Sequence, residues 1–174
     1  LFWHNHFATA NAKVRRPAAG AGCQLALACD LRIFDARASI GMPIARLGIL
    51  ISPSFADRVA VNAGPSVAGD LVYSGRMVGA VEAVELGLAN ACIPSDDLDR
   101  YVEVAIDSIL RSYDASIRAG KRARAQLAAP SRAAARALAG PATNEADLRR
   151  RVGTFTSHPR RGWGSVPHGA PAVC

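Results

Sequence analysis

The stretch AAGAGCQLALACDLRIF, Ala18 to Phe34, places small residues directly before an apolar run. Apolar side chains at i, i+1 and i+4 share one face of that run, and alanine favours helix, so we predict a short helix over Ala21–Cys29. The β-type composition of Leu31–Phe34 predicts a strand. A helix that begins on Gly20-Ala21-Gly22 either packs closely against another element or offers its first N–H groups to a ligand.

Working outward, proline at first helical positions and glycine after last ones mark further boundaries. The predicted elements are a strand in Ala36–Pro43, a helix from Pro53 capped by Ser52, helices Pro65–Tyr73 and between Gly79 and Gly87, a strand in Leu88–Pro94, an amphipathic helix capped by Ser95, a basic helix Tyr113–Ala129, and helices Ser131–Ala139 and Asn144–Val152. Short strands alternating with helices, followed by helices alone, predict an α/β core with a helical extension. We therefore divide the chain into a core (1–112), a C-terminal helical segment (113–152) and an irregular basic tail (153–174).

The composition is that of a soluble globular protein, with 50% hydrophobic and 20% charged residues among 174. No apolar run reaches the ~18–20 residues of a membrane span, and the first residues lack the pattern of a secretory signal. We expect a cytoplasmic protein without a membrane partner. The positive charge is concentrated in residues 117–174, which carry 11 Lys/Arg against 2 Asp/Glu. That segment suits an anionic partner or a solvated basic surface.

A metal site is not expected from the histidines and cysteines. His4 and His6 form a close pair, but the other two histidines are distant and no CxxC accompanies them. Without a secretory signal, the four cysteines are predicted to be reduced thiols. They are Cys23, Cys29, Cys92 and Cys174.

Four blocks in order resemble the crotonase, or enoyl-CoA hydratase/isomerase, family. They read RRPAAGAGCQLALACDLRIF, ARASIGMPIARLGI, AGPSVAGDLVYSGRMVGAVEAVELGLAN and IPSDDLDRYVEVAIDSI. The resemblance implies a spiral of ββα units followed by helices that mediate trimer formation. It also implies binding of acyl-CoA thioesters, with an enolate-like intermediate held in an oxyanion hole of two backbone N–H groups.

Matched to the family motif, one of these donors is the backbone N–H of Ala21, with Gly20 and Gly22 letting the thioester approach. First-turn N–H groups and the helix dipole suit a developing negative charge. The resemblance also places Lys121 near the CoA phosphates. It implies no cofactor beyond the CoA of the substrate and a homo-oligomer, a trimer or a hexamer. Direct nucleic-acid binding is not expected, because recognition motifs are missing.

Three departures from the family pattern bear on activity. Gln24 and Ile44 stand where hydratases carry their two glutamates, and neither side chain can take a proton at neutral pH. The family's N-terminal part, which supplies the second donor, is not matched, so we expect a core truncated at its N-terminus. Arg16 occupies a position that is usually glycine.

Several alternatives stay open. Gln24 is either a satisfied buried amide or a group that orients substrate or water. Asp35, Asp57 and Asp70 could replace the lost glutamates, although exposed helix carboxylates are the commoner reading, and Asp30 is expected to bond backbone at its helix–strand junction. The predicted function is acyl-CoA thioester binding with weak or absent hydratase activity. The alternatives are an inactive or fragmentary CoA-binding or assembly subunit and, more remotely, a basic interaction module.

Overall fold

A computed structural model describes residues 9–127 and 145–157. Most elements follow the predicted order. The strands are β1 (Asn11–Val14), β2 (Ala18–Ala19), β3 (Leu31–Asp35), β4 (Ser39–Gly41), β5 (Met77–Gly79) and β6 (Ala91–Ile93). The helices are α1 (Ala21–Ala28), a 3-10 helix (Pro43–Leu47), α2 (Pro53–Ala63), α3 (Pro65–Ser74), α4 (Ala80–Glu85), α5 (Leu98–Leu110), α6 (Asp114–Leu127) and α7 (Glu145–Ser157).

The strands form two three-stranded sheets, and the chain alternates between them from β1 to β4. One sheet has the order β1-β3-β6, all parallel, with Val14 opposite Phe34 and Phe34 opposite Cys92. The other has the order β2-β4-β5, in which β2 and β4 are parallel and β5 is antiparallel. Consecutive strands β1 and β2, and then β3 and β4, contribute one strand to each sheet. This arrangement is the predicted α/β spiral of ββα units.

The main core lies between these sheets and helices α1 to α4. Its largest fully buried side chains include Phe34, Phe55, Ile40 and Leu71. Burying an apolar side chain of this size stabilises the fold by about 1.5–3 kcal/mol. A second cluster joins Ile33 of β3 to the predicted apolar stripe of α5. The apolar stripe predicted for α5 is thus confirmed. The apolar face predicted for α1, made of Leu25, Ala26 and Cys29, is wrong in part, because Leu25 is exposed and Cys23 and Leu27 are buried instead.

Two predicted helix caps and two predicted strands differ from the structure. The strand predicted in Leu88–Pro94 is shortened to Ala91–Ile93, and strands β1, β2 and β5 are not among the predicted elements. Ser52 does occupy the N-cap of α2, but its hydroxyl lies 2.8 Å from that of Ser54 and makes no capping bond. Ser95 is not a cap: α5 begins after Asp97, and the Ser95 hydroxyl donates to Asp35 Oδ1 at 3.0 Å. The strand predicted in Ala36–Pro43 is shortened to Ser39–Gly41, because a turn closed on Asp35 precedes it.

The boundary of the predicted irregular tail is also corrected. Helix α7 runs through Gly153 to Ser157, so residues 153–157 are helical. A single glycine costs a helix only about 1 kcal/mol, which its neighbours can offset. The predicted helix Ser131–Ala139, the remainder of the tail, Cys174 and all four histidines lie outside the described residues.

Within the described ranges, no group of three or more metal-ligating side chains is present, and no helix is long and apolar enough to cross a membrane. None of the described cysteines, Cys23, Cys29 and Cys92, takes part in a disulfide.

Candidate functional site

The start of α1 depends on the backbone conformation of Gly20. This residue is the N-cap and has φ +55° and ψ −115°, a conformation that residues with a Cβ rarely adopt. A Cβ there would meet nothing within 4 Å, so the requirement is conformational rather than spatial. Its N–H donates to the Gly41 carbonyl at 3.2 Å, and its own carbonyl accepts from Gln24 N–H at 3.1 Å. The turn thereby fixes the start of α1 against β4.

The first two N–H groups of α1 are available to a ligand. Ala21 and Gly22 are exposed, and no acceptor in the described part of the chain bonds either N–H. The glycine at position 22 is not required by crowding, because the nearest atom to a Cβ there would be the Ala18 methyl at 4.0 Å. Two fixed N–H donors at the positive end of a helix dipole suit an anionic group or an oxygen on which negative charge develops. The structure thus leaves Ala21 N–H free at the predicted position.

The neighbouring thiol belongs to the core. Burial raises the pKa of Cys23 to about 12, although a backbone hydrogen bond from Gly41 and the charge of Arg58 act in the opposite direction. A thiol that remains protonated at neutral pH is a poor nucleophile. Cys23 therefore anchors α1 by packing.

Gln24 differs from the expectation of a satisfied buried amide. Its side chain is half-buried, and none of the described groups hydrogen bonds its amide. The backbone carbonyl of Gln24 accepts from Arg58 NH1 at 3.2 Å, which ties α2 to the first turns of α1. Sequence reasoning missed Arg58, because no local pattern links two residues so far apart.

Ile44 reaches the same sheet edge as the start of α1. Strands β2 and β4 are parallel neighbours, with Ala19 opposite Gly41, so both leave the sheet on the same side. Shortly after Gly41 the chain turns into the 3-10 helix, where half-buried Ile44 packs against the main core. Gly20–Gly22 and Ile44 are thus brought to one edge, where Ile44 supplies an apolar surface.

Lys121 lies at the opposite end of α1. Its Nζ is 2.8 Å from Oδ2 of Asp30, which follows the C-terminus of α1, and Arg124 NH1 lies 3.4 Å from Oδ1. Eight helical residues span about 12 Å, which separates this ion pair from the free N–H groups. Asp30 also accepts from the Ala10 N–H at 2.9 Å, as the junction predicted. The structure places Lys121 apart from the other predicted site residues.

The other carboxylates considered as substitutes have distinct surroundings. Asp70 pairs with Arg76 at 2.6 Å, and Asp35 is fully buried against Arg37 and Ser95. Asp57 on α2 and Asp35 each have one buried oxygen, Oδ2, without a hydrogen-bond partner among the described groups.

Comparison with known proteins assigns the family. The profile described as enoyl-CoA hydratase/isomerase matches residues 10–153. The chain belongs to this family. A short-chain-enoyl-CoA hydratase of Clostridioides difficile is 34% identical over 102 residues, covering 59% of this chain and 66% of the relative. A 2,3-dehydroadipyl-CoA hydratase of Escherichia coli K12 is 33% identical over 112 residues, covering 64% and 44%.

Solved structures of the family share the fold. An enoyl-CoA hydratase from Mycobacterium avium subsp. paratuberculosis, 22% identical, superposes with a TM-score of 0.73 over 92% of this chain and 66% of its own. A Thermobifida fusca protein, 26% identical and solved with CoA and with acetoacetyl-CoA, has a TM-score of 0.69 over 91% and 57%. The crotonase fold is therefore established. The chain spans 32% to 66% of the length of the first curated relatives that it matches.

Proposed function

We propose that this chain binds acyl-CoA thioesters, with the Ala21 N–H donating to the thioester carbonyl oxygen. The observation that carries the proposal is the pair of exposed, unbonded N–H groups at the start of α1, held there by Gly20. Family membership and the CoA-bound structure of the T. fusca relative support the substrate class. Gly22 keeps the approach to these donors free of a side chain.

Polarisation of the thioester is the chemistry that this arrangement supports. A fixed donor aimed at a carbonyl oxygen stabilises the enolate-like charge that develops when an α-proton leaves, by a few kcal/mol per donor. The α1 dipole adds to the field at the same atom. Two hydrogen bonds hold the start of α1 in place before any ligand binds. Gly20 N–H donates to the Gly41 carbonyl, and the Arg58 guanidinium donates to the Gln24 carbonyl. Such preorganised donors need little rearrangement when the charge forms.

Hydration also needs proton transfer, for which the two expected positions are unsuited. The Gln24 amide does not titrate near neutral pH, and Ile44 has no polar atom. We therefore propose binding and polarisation with weak or absent hydratase turnover. The same two residues favour a second candidate, a non-catalytic CoA-binding or assembly subunit. In both cases Lys121 remains the proposed phosphate contact, and it must exchange Asp30 for a CoA phosphate to serve as one.

Crotonyl-CoA tests these proposals. Calorimetry should show saturable binding, while the absorbance of the conjugated thioester should decay no faster than in buffer. Gln24→Glu together with Ile44→Glu should then add measurable hydration, with unchanged circular dichroism as the control for folding. Absence of binding would reject the proposed function. Turnover by the unmodified chain would reject the inactive subunit and direct attention to Asp57.

A further inference from the structure

A group of arginines lies at the carboxyl ends of two neighbouring strands. Arg15 and Arg16 follow β1, and Arg37 follows β3, which is the parallel neighbour of β1. Together with Pro17 they line a pocket of about 270 Å³. Carboxyl ends of parallel strands are the edge at which open α/β sheets bind ligands. This arginine pocket is separate from the free N–H groups of α1.

The pocket retains positive charge after its ion pairs are counted. Arg15 NH2 pairs with Asp99, a carboxylate shared with Lys13. The side chain of Arg37 is 76% exposed, and only its Nε reaches Asp35, at 3.3 Å. Asp35 itself is fully buried beneath it. The terminal nitrogens of Arg37 make no hydrogen bond to that carboxylate.

Arg16 supplies the charge that has no counterpart. Its side chain is exposed, and no carboxylate or other acceptor among the described residues contacts its guanidinium. At the neighbouring position Arg15 pairs with Asp99, so of the two adjacent arginines only Arg16 lacks an acceptor among the described residues. Three guanidinium groups therefore surround a small cavity, whereas only two of them, those of Arg15 and Arg37, pair with a carboxylate.

We propose that the arginine pocket binds a phosphate group of a small phosphorylated molecule. Guanidinium forks bind phosphate oxygens with paired, charge-assisted hydrogen bonds, which a lysine cannot reproduce. The volume lies slightly below the range of about 300–1,000 Å³ that is usual for larger organic ligands, and it suits one or two phosphate groups. Pro17 restricts the backbone beside Arg16, which limits the ordering needed on binding.

The phosphate has two possible sources. Arg16 precedes Ala21 by five residues, so their Cα atoms lie within about 18 Å. One source within that upper limit is the phosphate end of an acyl-CoA whose thioester lies at Ala21. A separate phosphorylated metabolite would use the same chemistry without touching α1. The proposal of a phosphate site does not depend on the proposed acyl-CoA function.

Titration of the purified chain with inorganic pyrophosphate at low salt tests the site. We expect saturable 1:1 binding that weakens at least tenfold in Arg16→Gln/Arg37→Gln. The matched control is Arg100→Gln/Arg111→Gln, which removes the same charge from two exposed i,i+3 and i,i+4 pairs elsewhere. It should change the affinity less than twofold. Lack of saturable binding, or equal weakening by both double variants, would overturn the proposal.

A competition experiment distinguishes the two sources. If CoA displaces pyrophosphate, and the Arg16→Gln/Arg37→Gln variant also loses CoA affinity, the pocket holds the phosphate end of CoA. If saturating CoA leaves pyrophosphate binding unchanged, the pocket serves a separate phosphorylated ligand. Both results support a phosphate site. Failure of crotonyl-CoA to bind α1 would leave the pyrophosphate result standing. Circular dichroism confirms that each variant is folded.

Discussion

Lys121 Nζ lies 2.8 Å from Asp30 Oδ2, which joins the basic helix α6 to the C-terminal end of α1. Both side chains are about one-fifth exposed, so the pair is shielded from solvent more than an ordinary surface ion pair. Asp30 also accepts a hydrogen bond from the N–H of Ala10, the residue before β1. The Asp30 carboxylate thus connects three elements. Lys121, which the family resemblance places near the CoA phosphates, is instead paired with Asp30 in the structure.

A double-mutant cycle measures the strength of this connection. Lys121→Met and Asp30→Asn should each lower the free energy of unfolding, because each leaves a shielded polar group with fewer partners. The coupling between them should be about 0.5–2 kcal/mol. Urea unfolding of the four proteins gives the value. The same cycle at the exposed pair Lys13–Asp99 should give a smaller coupling. Equal coupling at both sites would show that shielding of Asp30 is unimportant.

Gly41 is the second position with a sharp structural requirement. A Cβ there would collide with the Arg76 carbonyl oxygen and approach Met77 Sδ, both on the neighbouring strand side. We expect Gly41→Ala to destabilise the chain by about 1–3 kcal/mol, as overpacked core positions do. It should also weaken thioester binding, because the Gly41 carbonyl holds Gly20.

Gly120→Ala is the matched control for this substitution. Gly120 lies within α6 with nothing within 4 Å of a Cβ, so alanine should leave stability unchanged or raise it by up to about 1 kcal/mol. Thermal unfolding of both variants makes the comparison. A Gly41→Ala protein as stable as the parent would refute the close approach of β4 and β5.

Asp35 predicts a dependence of stability on acid pH. The Arg37 backbone N–H, the Arg37 side chain and the Ser95 hydroxyl outweigh burial and lower the pKa of Asp35 to about 2. The unfolded value is about 3.9. Because the folded pKa is the lower one, the stabilisation is complete above the unfolded pKa and is lost as pH falls from about 4 through 2.

Thermal unfolding between pH 6 and 2 checks this expectation. The melting temperature should fall more steeply in that acid range for the parent chain than for Asp35→Asn, which should be less stable at neutral pH. Ser95→Ala should lie between the two, because it removes one of the three donors. Parallel pH profiles for all three proteins would contradict the assignment.

The sequence predicted those features that depend on neighbouring residues. Local backbone preferences explain why α2 and α3 begin at a proline and end before a glycine. Hydrophobic periodicity explains the apolar stripe of α5. Ser95 was misassigned because its real partner, Asp35, is distant in the chain and adjacent only after β3 and β6 pair. The glycine at position 153 predicts the end of a helix, but the helix continues through it to Ser157.

The candidate site likewise has one part that could be predicted from the sequence and another that could not. The start of α1 was recognisable from its small residues and from the resemblance to the family. The rest joins segments that are distant in the sequence. Examples are the support of Gln24 by Arg58, the pairing of Lys121 with Asp30 and the arginine pocket. No pattern in one segment specifies the partner in another.

The most direct test of the account removes the Ala21 N–H alone. Ala21→Pro does so at the first helical position, where proline is favoured and where α2 and α3 already carry it. The ψ of −115° at Gly20 lies outside the helical region that a following proline disfavours. Ala21→Val keeps the N–H with a side chain of similar bulk.

The measurement is the affinity for acetoacetyl-CoA relative to free CoA, by calorimetry. A hydrogen bond to a charged oxygen contributes about 1.5–3 kcal/mol, so Ala21→Pro should lower this ratio by about tenfold or more, whereas Ala21→Val should keep it within about threefold. An unchanged ratio in a folded Ala21→Pro protein would contradict the assignment of Ala21 as the oxyanion donor.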